Sequence, residues 1–271
     1  MDFVSFVSFL KLIFNILVII MNKKILLFDV DGTIAEPGQN INFNIGKLIT
    51  NLKNNCHYEI GIVGGGSYIK IISQLDNNLN CDHIFSECGS VYHKFSDNSF
   101  MEIYKANLRE HPLYPKINIL IKQALLFLSN VDYCLTGQFI DLRNGLIYIS
   151  LIGLVATQKE RYEFIELDKK NNYRQNLLSI LLEKAREYQI EHLIDIKEGG
   201  SVGIAIYPKE WNKLQVLNNL NNYSEIHYFG DKWQENGNDY EIINSNKVIG
   251  HSVNNLNDTI MKLNNLLNKL K

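Results

Sequence analysis

The chain has little sulfur or imidazole arranged for a metal or redox site. Its four cysteines, Cys56, Cys81, Cys88 and Cys134, include no C-x-x-C pair and no matching histidine spacing. That excludes a zinc ribbon and a disulfide framework, and it fits reduced thiols in a cytoplasmic protein. The seven histidines contain no H-E-x-x-H pair, so a zincin-type site is missing too. Charge of one sign is also lacking. Lys and Arg number 27 against 29 Asp and Glu, a net charge of -2, and the lysines are scattered among asparagines instead of forming a stripe. The electrostatic footprint of a nucleic-acid binder is therefore absent, and a small molecule is the default partner. No internal repeat or low-complexity linker breaks the chain. What is present is apolar: 46% of 271 residues are hydrophobic, enough for one large or two modest folded domains.

The one long apolar run, residues 3–21, reads FVSFVSFLKLIFNILVIIM and is followed by Asn22, Lys23 and Lys24. Its length suits a membrane helix. Lys11 and Asn15 interrupt it, no small-residue cleavage site follows it, and Met21 offers a second start just before the next apolar segment. We read residues 1–21 as a hydrophobic extension of a cytoplasmic protein, with a membrane anchor as the competing reading.

That next segment, Ile25-Leu26-Leu27-Phe28, reads as a buried strand and runs straight into Asp29-Val30-Asp31-Gly32-Thr33. Along an extended chain Asp29 and Asp31 share a face, where two carboxylates repel each other unless a cation or phosphate chemistry uses them. Gly32 lets the backbone leave the strand, and Thr33 can hydrogen-bond an anion. Alone, D-x-D-G is equally a turn signal. The chemical alternative is a nucleophilic carboxylate with a proton-handling neighbour, assisted by magnesium.

Farther along, a helix is expected over Phe43–Leu52 and a strand over Tyr58–Val63. That strand ends in Gly64-Gly65-Gly66-Ser67, a glycine turn before a helix start where an anion could meet free N–H groups. Strands at His83–Phe85 and Val91–Phe95 continue a βαβ order and imply a parallel sheet covered by helices. Near Met101 the pattern changes. A helix about Ile117–Leu128 is followed by strand-like Gln138–Leu142, an Arg143-Asn144-Gly145 turn and strand-like Leu146–Leu151, a hairpin signal. Helices at Gln158–Leu167 and Arg174–Tyr188 and strands near His192–Ile196 and Val202–Tyr207 complete an inserted α+β unit. The alternating order then resumes with a helix from Trp211, a strand Glu225–Phe229, a loop Gly230–Asp239, a short strand Lys247–Ile249 and a last helix Leu256–Leu270. This gives a parallel-sheet core from residues 22–104 and 208–271, with residues 105–207 inserted.

Asp231 again stands at the end of an apolar strand. In an open α/β sheet ligands bind beyond the carboxyl ends of the strands, so the Asp29 turn, the glycine turn and the Asp231 loop can converge. Oxygen ligands from such loops, with waters and a substrate phosphate, suit magnesium.

The DVDGT and GD-x6-ND motifs, with Lys213 between them, resemble the haloacid dehalogenase superfamily of phosphotransferases. IGIVGGG, LRNG, ERYEFIELDKKNNYRQ and GNDYEI carry the resemblance further, to the eukaryotic-type phosphomannomutases, from about Lys24 to the end. The resemblance implies a haloacid-dehalogenase-like core with a cap domain, Asp29 as nucleophile, Asp31 as acid/base, and Lys213 neutralising the transferred phosphoryl group. It implies magnesium held by Asp29, the Asp31 main-chain carbonyl and Asp231, with Asp239 supporting the loop. Arg143 and Arg161 match cap positions that bind the phosphate not being transferred, and guanidinium forks suit that role. Gly65, Gly66 and Ser67 would line the substrate site. For Arg161, a surface ion pair among Lys159, Glu160 and Glu163 is the competing reading. A sugar phosphate substrate, a sugar bisphosphate activator and a homodimer are implied in the same way.

Departures from the family pattern bear on the substrate. Gly38 and Leu154 stand where the family has arginines, Gly203 and Ala205 where it has a serine and an aspartate, and Gly66 where it has a serine that Ser67 can replace. Three functions follow: a mutase interconverting mannose 6-phosphate and mannose 1-phosphate for GDP-mannose synthesis, a magnesium-dependent phosphatase or mutase for another sugar phosphate, and a non-catalytic binding relative.

Overall fold

The computed structural model describes residues 23–270 apart from 77, 78 and 236, so the apolar run at residues 3–21 lies outside the described residues. Among the described residues no helix is long and apolar enough to cross a membrane.

Strand β1 (Lys24–Phe28) is apolar at every position but its first because both of its faces are covered. Leu26 and Phe28 pack with Ile45, Ile49 and Leu52 of helix α1 (Phe43–Cys56) and with Ile71 and Leu75 of α2 (Tyr68–Leu75). Ile25 and Leu27 point the other way, toward Val216, Leu217 and Tyr228. With β2 (Tyr58–Val63), β3 (His83–Ser86), β4 (Val91–Ser96) and β5 (Ser99–Lys105), β1 belongs to a seven-stranded sheet ordered β11-β10-β1-β2-β3-β4-β5. Strands β10 (Glu225–Gly230) and β11 (Ile249–Ser252) complete it, and all neighbours from β11 to β3 run parallel. Helix α6 (Leu256–Lys269) covers the same face as α1 through Leu263, Leu266 and Leu267.

Between β5 and β10 the chain builds a second sheet from β6 (Ile140–Leu142), β7 (Ile147–Ser150), β8 (Ile194–Gly199) and β9 (Gly203–Pro208), ordered β6-β7-β9-β8 and antiparallel throughout. Alternation divides it into two unlike faces. Ile147, Ile149, Ile194, Ile196, Ile204 and Ile206 pack under α3 (Tyr114–Leu128), α4 (Gln158–Asn171) and α5 (Tyr173–Glu187). The opposite face carries Tyr148 beside Ala205 beside Lys197, in register across three strands. There Tyr148, Ala205, Leu146 and Tyr207 pack against Cys88 of the first sheet's connection.

Two local expectations are corrected. The segment about Trp211 is not an α-helix but two 3₁₀ turns, Lys209–Trp211 and Lys213–Asn219. Pro208 precedes the first, and extended backbone at Asn212 separates them. Strand β5 is an addition: it pairs with β4 through an Asp97–Asn98 turn in which both residues have positive φ.

Candidate active site

Phe28 lies beside Ile62 on one side and Phe229 on the other, so the chain leaves β1, β2 and β10 at the same edge of the sheet. The Asp29 N–H donates to the Phe229 carbonyl at 2.9 Å, which fixes the first turn against the strand leading to Asp231. Lys213 enters from the second 3₁₀ turn, capped by the Asn212 side chain on the Leu214 N–H. Its ammonium is fully buried and donates to Asp29 Oδ1 at 2.5 Å and to Asp239 Oδ1 at 2.6 Å.

One ammonium thus serves two buried carboxylates. Asp239 has further donors, the Tyr228 hydroxyl at 2.5 Å and the Lys232 N–H at 3.0 Å, so both of its oxygens are engaged. Asp29 keeps one oxygen free of Lys213, and burial pushes its carboxyl well up despite the lysine, with Asp239 and Asp231 adding to the rise. Burial works against the Lys213 charge, but Asp239 and Asp29 outweigh it and hold the ammonium protonated. Asp231 leans over Gly32: a Cβ at that position would lie 2.4 Å from Asp231 Oδ2, and Gly32 also has φ +87°. Asp231 Oδ1 is buried with no partner among the described residues, and burial raises its pKa as well.

Ligand oxygens of Asp29, Asp231 and Asp239 lie within 4.8 Å of one another. Three carboxylates share one buried ammonium, with the exposed Lys232 reaching Asp231 Oδ2 at 3.5 Å. Together with a buried oxygen lacking a partner among the described residues, they fit a divalent cation bound mainly by Asp29 and Asp231, with Asp239 holding the loop.

Asp31 faces different partners. β1 ends at Phe28: the N–H groups of Thr33, Ile34 and Ala35 all turn back to the Val30 carbonyl, so Asp31 stands in a turn and not on an extended strand. The Asp31 carboxylate instead receives Gln74 Nε2 at 2.8 Å, the Gly38 N–H at 3.0 Å and Lys70 Nζ at 3.1 Å. Burial would raise this carboxyl, but Lys70, the Gly38 amide and Gln74 overcome that and lower it. Lys70 and Gln74 are one turn apart on α2, a spacing that places both on Asp31 and that the sequence reading had not used.

The glycine turn is engaged by its own chain. Ser67 caps α2 by accepting the Lys70 N–H, and the Gly66 carbonyl accepts the Glu87 N–H. Arg143 donates to the Gly65 carbonyl at 2.9 Å and to Asp141 at 2.6 Å, bringing the inserted unit onto the turn. Next to it the buried Glu87 carboxylate accepts the Gly145 N–H and the Asn144 side chain. Arg161 donates to the carbonyls of Ala156 and Leu154 and pairs with none of Lys159, Glu160 or Glu163. Glu160 closes a capping box with Thr157, and Lys159 pairs with Glu163. Thr33 Oγ1 is buried with no partner among the described residues.

Lys197 forms a second bridge between the units. It donates to the Gly237 carbonyl at 3.1 Å and to Glu241 at 2.9 Å, gripping the loop between Asp231 and Asp239 from the second sheet.

Comparison with known proteins places these residues in context. A sequence family described as eukaryotic phosphomannomutase matches residues 45–269. The phosphomannomutase of Arabidopsis thaliana is 37% identical over 241 residues, covering 88% of this chain and 94% of that protein. That of Glycine max is 34% identical over 245 residues, covering 89% and 95%. Among solved structures, an IMP-bound IMP-nucleotidase of Plasmodium falciparum superposes with a TM-score of 0.63 at 16% identity, over 91% of this chain and 68% of that one. A haloacid dehalogenase-like hydrolase from Bacteroides thetaiotaomicron gives a TM-score of 0.50 at 14% identity, over 82% and 85%. At such identities these structures speak to the fold, a haloacid-dehalogenase-like α/β core.

Proposed function

The chain belongs to the eukaryotic phosphomannomutase family, and we propose that it is an isomerase interconverting mannose 6-phosphate and mannose 1-phosphate, supplying GDP-mannose synthesis. The observation that carries this reading is the single Lys213 ammonium shared by Asp29 and Asp239 beside the unpartnered Asp231 oxygen.

The Asp29 oxygen not held by Lys213 attacks the phosphorus of a sugar bisphosphate, and the bond from phosphorus to the sugar oxygen breaks. Asp31 delivers a proton to that oxygen, leaving an aspartyl-phosphate and a sugar monophosphate. A mannose monophosphate then presents its free hydroxyl, at position 6 or 1, which loses its proton to Asp31 and takes the phosphoryl group from Asp29. The resulting bisphosphate turns over and returns its other phosphoryl group to Asp29, leaving the isomeric monophosphate. Lys213 balances charge on the transferred group, a positioning and electrostatic role. Asp29 and Asp231, with the Asp31 carbonyl, would hold magnesium, which supplies Lewis-acid neutralisation of phosphoryl oxygens when bound. Arg143, Arg161 and residues 65–67 would meet the phosphate that is not transferred. A sugar bisphosphate activator, a cytoplasmic location and a homodimer belong to the same reading.

A second reading, a phosphatase on the same Asp29 and Asp31, is favoured by one observation: Arg161 is tied to two carbonyls, and Gly38, Leu154, Gly203 and Ala205 offer no polar side chain to a second phosphate. Phosphorus NMR separates the two. With magnesium, mannose 1-phosphate and a catalytic amount of sugar bisphosphate, growth of the 6-phosphate signal supports the mutase, and free phosphate supports the phosphatase. No change in either resonance overturns both.

A further inference from the structure

The second sheet's face toward the first carries two tyrosines with no part in the chemistry so far, the fully buried Tyr207 and the half-buried Tyr148. Tyr148 lies across the sheet, not out from it, because its neighbours are glycines. A Cβ on Gly203 would meet the Tyr148 hydroxyl and Cζ at 2.5 Å, and one on Gly199 would meet the ring at 3.0 Å. The ring occupies the space those side chains would need. Its hydroxyl donates to the Gly199 carbonyl at 2.9 Å, which fixes the ring's tilt and leaves the oxygen able to accept. The Arg143 guanidinium lies 5.1 Å over the ring, and the same guanidinium reaches the Gly65 carbonyl, so the ring is pinned beside the catalytic turn. Burial keeps the hydroxyl neutral, its pKa pushed up to about 12 against the fields of Arg143, Arg161 and Arg174, with Asp31 adding to the rise.

We propose that Tyr148 is a substrate-contacting, specificity-determining residue whose ring edge borders the sugar of the phosphorylated substrate and whose hydroxyl oxygen accepts from a sugar hydroxyl. This rests on the sugar-phosphate reading of the site. An aromatic edge packs against the C–H groups of a pyranose, and a hydroxyl beside it supplies the polar contact that fixes orientation. Gly203 and Ala205, on the same face, supply none. Arg143 ties the two halves of the ligand together: it covers the ring face and stands where a phosphate oxygen would approach Gly65.

The test is calorimetric binding to the full chain carrying Asp29→Asn, which blocks turnover. Mannose 1-phosphate, mannose 6-phosphate and inorganic phosphate are titrated in magnesium, with Tyr148→Phe, Tyr148→Asn and Tyr148→Ala added in turn. The expected result is a Kd for both sugar phosphates raised at least tenfold by Tyr148→Ala and Tyr148→Asn and a few-fold by Tyr148→Phe, while the inorganic phosphate Kd moves less than threefold. A purely structural role would shift all three ligands together, and that result overturns the proposal, as does sugar phosphate binding that ignores Tyr148. If the Asp29→Asn chain binds inorganic phosphate but neither sugar phosphate, the sugar-phosphate reading falls and the role of Tyr148 falls with it. Tyr148→Phe, which keeps the ring, covers the case in which the smaller residues prevent folding.

Discussion

Lys213 Nζ and Asp29 Oδ1 are separated by 184 positions of sequence and by 2.5 Å of space. Their buried pairing sets opposite expectations for two substitutions. Lys213→Met leaves Asp29 and Asp239 buried without a counter-charge and should cost about 3 to 5 kcal/mol. Asp29→Asn leaves Lys213 with Asp239 alone and removes a carboxyl that burial already disfavours, so its Tm should equal or exceed the parent's while turnover disappears. Thermal melts of both, beside the phosphorus NMR assay, check this. A lower Tm for Asp29→Asn than for Lys213→Met would refute the charge assignment.

Lys70 supplies the only ammonium within hydrogen-bond reach of Asp31 among the described residues, and its field lowers that carboxyl. Lys70→Met should therefore raise the Asp31 pKa. The acidic limb of kcat/KM, where Asp31 must be ionised to take a proton, should move to higher pH while the alkaline limb stays in place. A pH–rate profile on both proteins decides it.

At the far end of β10 and β11, His227 Nδ1 lies 2.8 Å from His251 Nε2, and burial with the neighbouring His227, Lys262 and Lys269 pushes His251 down from 6.5 to about 4. A histidine whose folded pKa is depressed stays neutral in the folded protein while the unfolded chain takes up a proton. Its contribution is complete above pH 6.5 and is lost as pH falls toward 4, on the order of 2 kcal/mol with some screening at this partly exposed site. Glu225, held near 2 against its burial by Tyr58, Lys24 and His227, extends the loss below pH 4.5. Urea unfolding between pH 7 and 4 should show the decline, and His251→Phe should flatten its upper part.

Lys197 holds the Asp231–Asp239 loop from the second sheet through Gly237 and Glu241. Lys197→Met should free that loop. Hydrogen exchange of its amides should quicken in metal-free protein, and the magnesium concentration giving half-maximal rate should rise roughly tenfold, the usual effect of losing a group that orients ligands. Lys197→Arg should restore part of both.

Period and composition made much of this fold legible. KILLF announced a strand buried on both faces, and alternating β and α patterns announced the parallel sheet. Strand β5 escaped because its SFMEIYK sequence sits on an exposed edge, where no alternation with a core is required. Asp29 and Asp231 were visible as acidic strand ends. The partners of Asp31 were not, since they come from the Gly38 amide and from Lys70 and Gln74 on a helix about forty residues on. Lys70 and Gln74 left a helical spacing that could have been paired with Asp31. Tyr148 and Lys197 carried only a strand's alternation, and their meaning depends on which sheet face meets the catalytic turn.

In the second sheet the isoleucines lie on one face and Tyr148, Ala205 and Lys197 on the other. The residues that hold the sheet to α3, α4 and α5 and those on the face toward the first sheet therefore mutate independently. A lineage can exchange glycine, alanine or tyrosine on that second face without disturbing a contact to those three helices. The substrate range of such a protein can drift quickly while its architecture stays still, and laboratory evolution of new sugar preferences should start from those three strands.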